Sequence, residues 1–402
     1  MREAVIVDTA RTAIGKAYRG AFNNTEAPAL GAHVIRAMMA RQDIDPALID
    51  DVVMGAAAQQ GTQGYNLGRL CATAAGLPDS VAGMTIDRQC ASGMMAIATA
   101  AKSIMCNEYN VAIAGGVESI SLVQTKHKNS HRNISQTVLA QQPKAYISMI
   151  ETAEIVAKRY AISRDAQDEY SCESQRRTAA AQDAGRFDRE IVAMTTVKQL
   201  VDRETKEVAE QEVTLSRDEG NRPGTLLQDL QGLKPVLPEG HFCGVGEHIT
   251  AGNASQLSDG ASASIVMDSG LAAQLGLSPL GIYRGLAVAG CAPDEMGIGP
   301  VFAIPKLLKA TGLSMGDIDL VELNEAFACQ VLAVLKGWDW HDDDRLNVNG
   351  SGISLGHPIG ATGGRILADM LSELHRRQGR YALETMCIGG GQGIAAIFER
   401  AA

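Results

Sequence analysis

The chain has 402 residues, 46% hydrophobic and 20% charged, with a net charge of −10. That length exceeds one ordinary core and predicts two or three globular domains. The acidic balance excludes broad nucleic-acid binding, which needs Lys and Arg against phosphates, and no apolar run is long enough to span a membrane.

The start, MREAVIVDTARTAIGK, is an apolar run that Asp8 interrupts, unlike a secretory signal; Glu3 and Asp8 also argue against a transit peptide. The final FERAA is not the peroxisomal tripeptide. The 8 cysteines form no C-x-x-C pair and show no metal-ligand spacing. They read as reduced thiols, so the chain is expected in the cytoplasm, with no metal.

In chain order, APALGAHVIRAMMARQ (Ala27–Gln42) predicts a helix and LIDDVVMGAAAQQ (Leu48–Gln60) a short strand. MTIDRQCASGMMAIATAAKSIM (Met84–Met105) predicts strand, short loop and helix, with Cys90 at the helix start. VAIAGGVES (Val111–Ser119) is a strand running into glycines. The texture then turns polar. It carries a basic patch, KHKNSHRN, and a charged helix that Ser163 would cap and Gly185 would stop. TKEVAEQEV and DEGNRPG read as exposed turns and linkers. This region, about 119–249, is expected to be a lid-like insertion.

The first pattern then returns. VFAIPKLLKATG is helical, DIDLVELNEAFACQ (Asp317–Gln330) holds a short strand, LNVNGSGISLGHPIGATGGRILADML reads as strand, loop and helix, and ETMCIGGGQG is a strand entering glycines. Element order and spacing both repeat, which predicts two duplicated α/β halves with parallel sheets covered by helices.

Reactive groups in open α/β sheets gather at the carboxyl ends of strands. Four segments end there: Cys90, Asn324–Phe327, the loop holding His357, and Cys387 with its glycines. Cys90 is either a nucleophile, its thiolate favoured by a helix N-terminus, or a buried small hydrophobe. His357, in a Gly-rich loop, is a candidate general base. Cys387 is an acid/base candidate or a buried strand cysteine. Glu325 could be a catalytic or an orienting carboxylate, and Asn324 could hold a water or a histidine. GSGISLG has the wrong last spacing for a dinucleotide loop and GATGGR is not a P-loop.

Taken together, VDTARTAIGK, RQCASG, AGGVES, TAGNASQLSDGAS, MGIGPV, NEAFA, NGSGISLGHPIGATG and CIGGGQG resemble the thiolase family, over nearly the whole chain. The resemblance implies a duplicated αβαβα sandwich with a lid-like insertion, divided into residues 1–268 and 269–402. It implies a CoA-dependent acyltransferase that cleaves 3-oxoacyl-CoA through an acyl-Cys90 intermediate. His357 would activate the thiol, and Cys387 would serve as acid/base for the enolate. Asn324, through a water, would act with His357 at one oxyanion. The N–H groups of Cys90 and Gly389 would serve the other. Ser255 would lie near the pantetheine, Arg222 near the adenine and Met149 in the lid. Coenzyme A is then a substrate, no cofactor is held permanently, and a homo-oligomer, dimer or tetramer, is expected. Ile150 follows Met149 where family members carry Gly, and Ser148 stands where short-chain members often have His. Both departures favour a broad 3-ketoacyl-CoA range over acetoacetyl-CoA alone. The competing readings are a ketoacyl synthase-like enzyme, which would want a second histidine where NEAF stands, and a non-catalytic acyl-CoA-binding relative.

Overall fold

The structure, a computed structural model, describes residues 2–202, 204–341 and 344–401. The first half contributes strands β1 (Ala4–Arg11), β2 (Asp51–Gly55), β3 (Ala82–Ile86), β4 (Val111–Ser119) and β5 (Ser258–Asp268), ordered β3-β2-β4-β5-β1. The second contributes β6 (Gly281–Gly290), β7 (Leu320–Leu323), β8 (Tyr381–Ile388) and β9 (Gln392–Arg400), ordered β7-β8-β9-β6. The two sheets touch where Val5 and Ile6 of β1 meet Ile282 and Gly281 of β6.

Both sheets are mixed, where the alternation of strands and helices predicted parallel ones. β2 runs parallel to β3 and β4, but β5 is antiparallel to β4 and β1. Likewise β7 and β8 are parallel, and β9 is antiparallel to β8 and β6. The connections explain this, because a parallel return needs a crossover and an antiparallel one only a turn. β8 reverses into β9 through Gly390 and Gly391, at φ 80° and 89°.

The second half also departs from the predicted repeat. Where the counterpart of β3 should run, a single parallel bridge joins Val321 to Leu346. Asn347, at φ 43°, turns the chain away. Its side-chain amide then takes over the pairing, accepting from Leu323 N–H and donating to Leu323 C=O, both at 2.8 Å.

Helices α1 (Ala27–Gln42), α2 (Leu67–Ala75) and α3 (Ser92–Met105) belong to the first half, α4 (Met149–Arg159) and α5 (Arg164–Asp183) to the insertion, and α6 (Gly299–Thr311), α7 (Ala328–Gly337) and α8 (Thr362–Arg376) to the second half. α1 and α2 cover the outer face of the first sheet, α6 and α7 that of the second, and α3 and α8 fill the layer between. The strands are therefore apolar on both faces. Along β1, Val5 and Val7 face the outer helices while Ala4 and Ile6 face the central pair. Burying each large apolar side chain of α8, such as Leu367 or Leu371, contributes roughly 1.5–3 kcal/mol.

The central layer is sealed backbone to backbone. A Cβ on Gly93 of α3 would lie 2.7 Å from Gly360 O, and one on Gly116 or Gly363 would collide with Gly360 or Met94. Residues between β4 and β5 form the insertion. Ser163 caps α5 by accepting from Ala166 N–H, and Gly185, at φ 65°, follows its end, as predicted. Buried Arg11 of β1 ties the insertion down through Glu190 at 2.6 Å and Asp218 at 2.7 Å. The predicted linker TKEVAEQEV is instead mostly strand: Val208–Leu215 pairs with Met194–Val201 in a hairpin. Its strands are largely exposed, so the apolar alternation that marks a half-buried strand is missing. Among the described residues, no helix is long and apolar enough to cross a membrane.

Candidate active site

Cys90 sits in the 3₁₀ turn Gln89–Ala91 that leads from β3 into α3. Gln89 occupies the left-handed region at φ 47°, a conformation that non-glycine residues seldom adopt. Asp87 holds it there, accepting from Gln89 N–H at 2.6 Å, and Ser92 Oγ accepts from Arg88 N–H at 2.9 Å. The helix start was expected to favour a thiolate. The structure corrects this: burial pushes the Cys90 thiol up to about 11, outweighing the Gly389 N–H that favours the anion, while Glu118 and Asp87 push further up. Cys90 therefore rests as a thiol and needs a base.

A base is at hand. His357 lies on the loop before α8, 7% exposed, in the same cavity as Cys90. Burial, followed by the charge of Arg365, lowers its imidazole to about 3, so it is neutral near pH 7. Nδ1 contacts Thr362 Oγ1 at 2.6 Å, and Nε2 has no hydrogen-bond partner within the protein.

Cys387 is next to last in β8, at 0% exposure, beside Gly393 of β9. Burial, then the nearby Cys90, raises its thiol well above the ordinary range. A protonated Cys387 is thus the resting state, which suits a proton donor. Gly389 follows on the same turn; a Cβ there would sit 3.7 Å from Met149 Sδ and 3.8 Å from Gln89 Oε1. Met149 of the insertion, the turn that carries Cys90 and the glycine loop therefore meet.

The cavity holds about 440 Å³. Cys90, His357, Met149, Ser255 and Arg222 all line it, with Ile150, Val236, Leu257, Met296 and Phe327 making the wall largely apolar. An adjoining hollow of about 330 Å³ shares Arg222, Ala254 and Gln256 and continues along the insertion past Gln175, Thr225 and Asp229. Cys387, Gly389 and Asn324 are not on the cavity wall. The first two reach the site through Cys90. Asn324 lies behind Ala326, its N–H bonded to Thr385 O, with both side-chain amide atoms buried and unpartnered. An amide left so would cost about 1–3 kcal/mol, so this one is suited to hold a water or a substrate group. Glu325 does not face the cavity. It accepts from Tyr170 OH at 2.9 Å and Ser174 Oγ at 2.7 Å, which fixes NEAF in place. Among the described residues, no three His, Cys, Asp or Glu side chains are grouped to hold a metal.

Two residues escaped sequence reasoning. Glu118, fully buried in β4, accepts from Gly360 N–H at 2.7 Å, Gln63 Nε2 at 2.6 Å and the N–H groups of Ala57 and Ala58. It clamps the loop of His357 onto the half that carries Cys90. A charged residue inside an otherwise apolar strand was the available signal. Thr362, the contact of His357, carried none beyond its place five residues downstream.

Models of the thiolase N-terminal and C-terminal domains match residues 4–270 and 277–400. The 3-ketoacyl-CoA thiolase of Bacillus subtilis (strain 168) is 42% identical over 399 residues, covering 99% of this chain and 100% of that protein. The peroxisomal 3-ketoacyl-CoA thiolase 5 of Arabidopsis thaliana is 43% identical, covering 99% of this chain and 85% of that one. Among solved structures, the acetyl-CoA acetyltransferase of Bacillus anthracis superposes with a TM-score of 0.86 at 38% identity, covering 100% of this chain and 99% of that one. With both domains matched and full-length relatives at this level of identity, the chain belongs to the thiolase family.

Proposed function

We propose that this protein is a 3-ketoacyl-CoA thiolase, an acyltransferase that joins CoA to the acyl part of a 3-oxoacyl-CoA and releases acetyl-CoA. The observation that carries this is one cavity shared by a protonated cysteine and a neutral, buried histidine, with a second cysteine and a glycine N–H set against the first. His357 Nε2 takes the Cys90 proton, and the thiolate attacks the 3-keto carbon. The N–H groups of Cys90 and Gly389 bind the tetrahedral oxyanion. The C2–C3 bond breaks, leaving acyl-Cys90 and the acetyl-CoA enolate, whose oxygen faces His357 and a water on Asn324. Cys387 gives C2 its proton, then takes one from the incoming CoA thiol, which attacks the acyl-Cys90 carbonyl. Run backwards, the sequence is a Claisen condensation.

Ser255 and Arg222 would hold the pantetheine and adenine ends along the two adjoining hollows, under Met149 of the lid. No permanent cofactor takes part. The halves 1–268 and 269–402 would work as one unit in a cytoplasmic homo-oligomer, a dimer or tetramer. A second reading, acetoacetyl-CoA thiolase, is favoured by the name of the Bacillus anthracis neighbour. The apolar wall with Ile150, Leu257 and Met296 supports the broader range. CoA-dependent loss of Mg²⁺–acetoacetyl-CoA absorbance tests the activity, and kcat/KM over short to long 3-ketoacyl-CoA esters separates the two readings. A protein inactive on the entire series would defeat both.

A further inference from the structure

The contact between His357 and Thr362 holds more information than a distance. Thr362 Oγ1 lies 2.6 Å from His357 Nδ1 and 3.0 Å from Pro358 O. Both separations are hydrogen-bond distances, so each needs a hydrogen between its two atoms. Pro358 O is a carbonyl and can only accept. The hydroxyl owns one hydrogen, and that hydrogen must go to Pro358 O, or two oxygens would face each other at 3.0 Å with none between them. The hydrogen in the shorter contact must then come from Nδ1. One arrangement satisfies both contacts: Nδ1–H donates to Thr362 Oγ1, and Thr362 O–H donates to Pro358 O. Nε2 is left as a bare lone pair in a residue that lines the cavity with Cys90.

We infer that Thr362 is a positioning residue that fixes the hydrogen of His357 on Nδ1 and so keeps Nε2 free to accept the Cys90 proton. This rests on the reading of His357 as the base. The clamp is rigid because Thr362 is buried at the first turn of α8, where Pro358 O also accepts from Ala361 N–H at 2.8 Å. An imidazole without this partner can carry its hydrogen on Nε2 instead, and that tautomer cannot take the thiol proton. Among the described residues, the charged and titratable groups around the site include Arg365 of α8, Cys90, Asp87, Cys387, Cys291, Cys329, Glu118 of β4 and Arg222 of the insertion. None of them offers Nδ1 an alternative acceptor in the structure.

Thr362→Val removes the hydroxyl at nearly constant volume, and Thr362→Ser keeps it. Pre-steady-state acetylation of Cys90 by acetyl-CoA should slow by about 10²-fold in Thr362→Val, the usual worth of a general base, and stay close to wild type in Thr362→Ser. The pH profile supplies the readout that a packing defect would not move. As pH climbs toward about 11 the thiol ionises unaided, so the Thr362→Val deficit in Cys90 alkylation by iodoacetamide should shrink. A misplaced cysteine would stay equally slow at every pH. A Thr362→Val protein with wild-type acetylation and profile overturns the inference, as does a Thr362→Ser protein as slow as Thr362→Val. His357→Gln separates the two levels. If Cys90 acetylation survives that change, the base reading fails; if it falls while Thr362→Val remains fast, only the tautomer clamp fails. Should Thr362→Val not fold, ¹⁵N-histidine spectra of the wild type, assigned with His357→Gln, decide the matter. A protonated Nδ1 and bare Nε2 are expected, and the reverse overturns the inference.

Discussion

Burying His357 has a measurable thermodynamic signature. In the unfolded chain its imidazole titrates near 6.5, and in the folded protein near 3. The folded state therefore refuses a proton that the unfolded state accepts. This contribution is at its most favourable above pH 6.5 and is lost progressively as pH falls toward 3. Integrated from pH 8 to pH 5, the loss is about 2 kcal/mol for this one residue. His357→Gln removes the titration while keeping a polar side chain of similar reach. Urea unfolding of both proteins, followed by circular dichroism at pH 8 and pH 5, gives the difference of differences, in which every other titrating group cancels. The wild type should lose about 2 kcal/mol more than the variant over that interval. Parallel losses in the two proteins would show that the folded imidazole titrates normally, and the neutral-base argument would fall with it.

Cys90→Ser should keep the fold and lose acyl transfer, since a hydroxyl stays protonated where a thiol with a base can ionise. Peptide mass spectrometry after acetyl-CoA treatment should find the label on wild-type Cys90, and label only on another cysteine refutes the assignment. Cys387→Ala should still acetylate Cys90, but exchange of acetyl-CoA α-protons with solvent should drop by about 10²-fold or more; undiminished exchange defeats the two-cysteine scheme. Glu118→Gln replaces an acceptor of four N–H groups with a side chain whose amide nitrogen cannot accept. Losing charge-assisted bonds worth about 1.5–3 kcal/mol each should lower the calorimetric Tm and slow the His357 chemistry, and an unchanged Tm would remove the clamp from the account.

Local pattern carried much of the fold. α1 spans the residues its periodicity suggested, and Ser163 and Gly185 bound α5 because caps and left-handed positions act over a few residues. Cys90 and Cys387 stood out because each follows a strand-like run, and His357 because it sits in a glycine-rich loop. What the sequence concealed depends on distant partners. Nothing local says that Asn347 replaces a strand with its side chain, that Glu118 grips a loop more than two hundred residues away, or that burial overrides the helix start at Cys90. The exposed hairpin was missed for the opposite reason, having too little burial to imprint an apolar rhythm.

The seam of glycines between α3 and the His357 loop sets what can vary in this protein. Side-chain layers can be traded for others of similar volume, but backbone against backbone at Gly93, Gly116, Gly360 and Gly363 leaves nothing to exchange. One added methyl would push the loop that carries His357 away from β4 and from the helix that follows Cys90. The spacing of the reacting pair is thereby insulated from drift elsewhere in the chain. Part of the proposed substrate wall is not, because Met149, Ile150, Arg222 and Val236 come from the insertion, outside the seam. On the proposed reading, part of the selectivity can thus be adjusted separately from the chemistry, and a lineage could retune that part without reopening the seam.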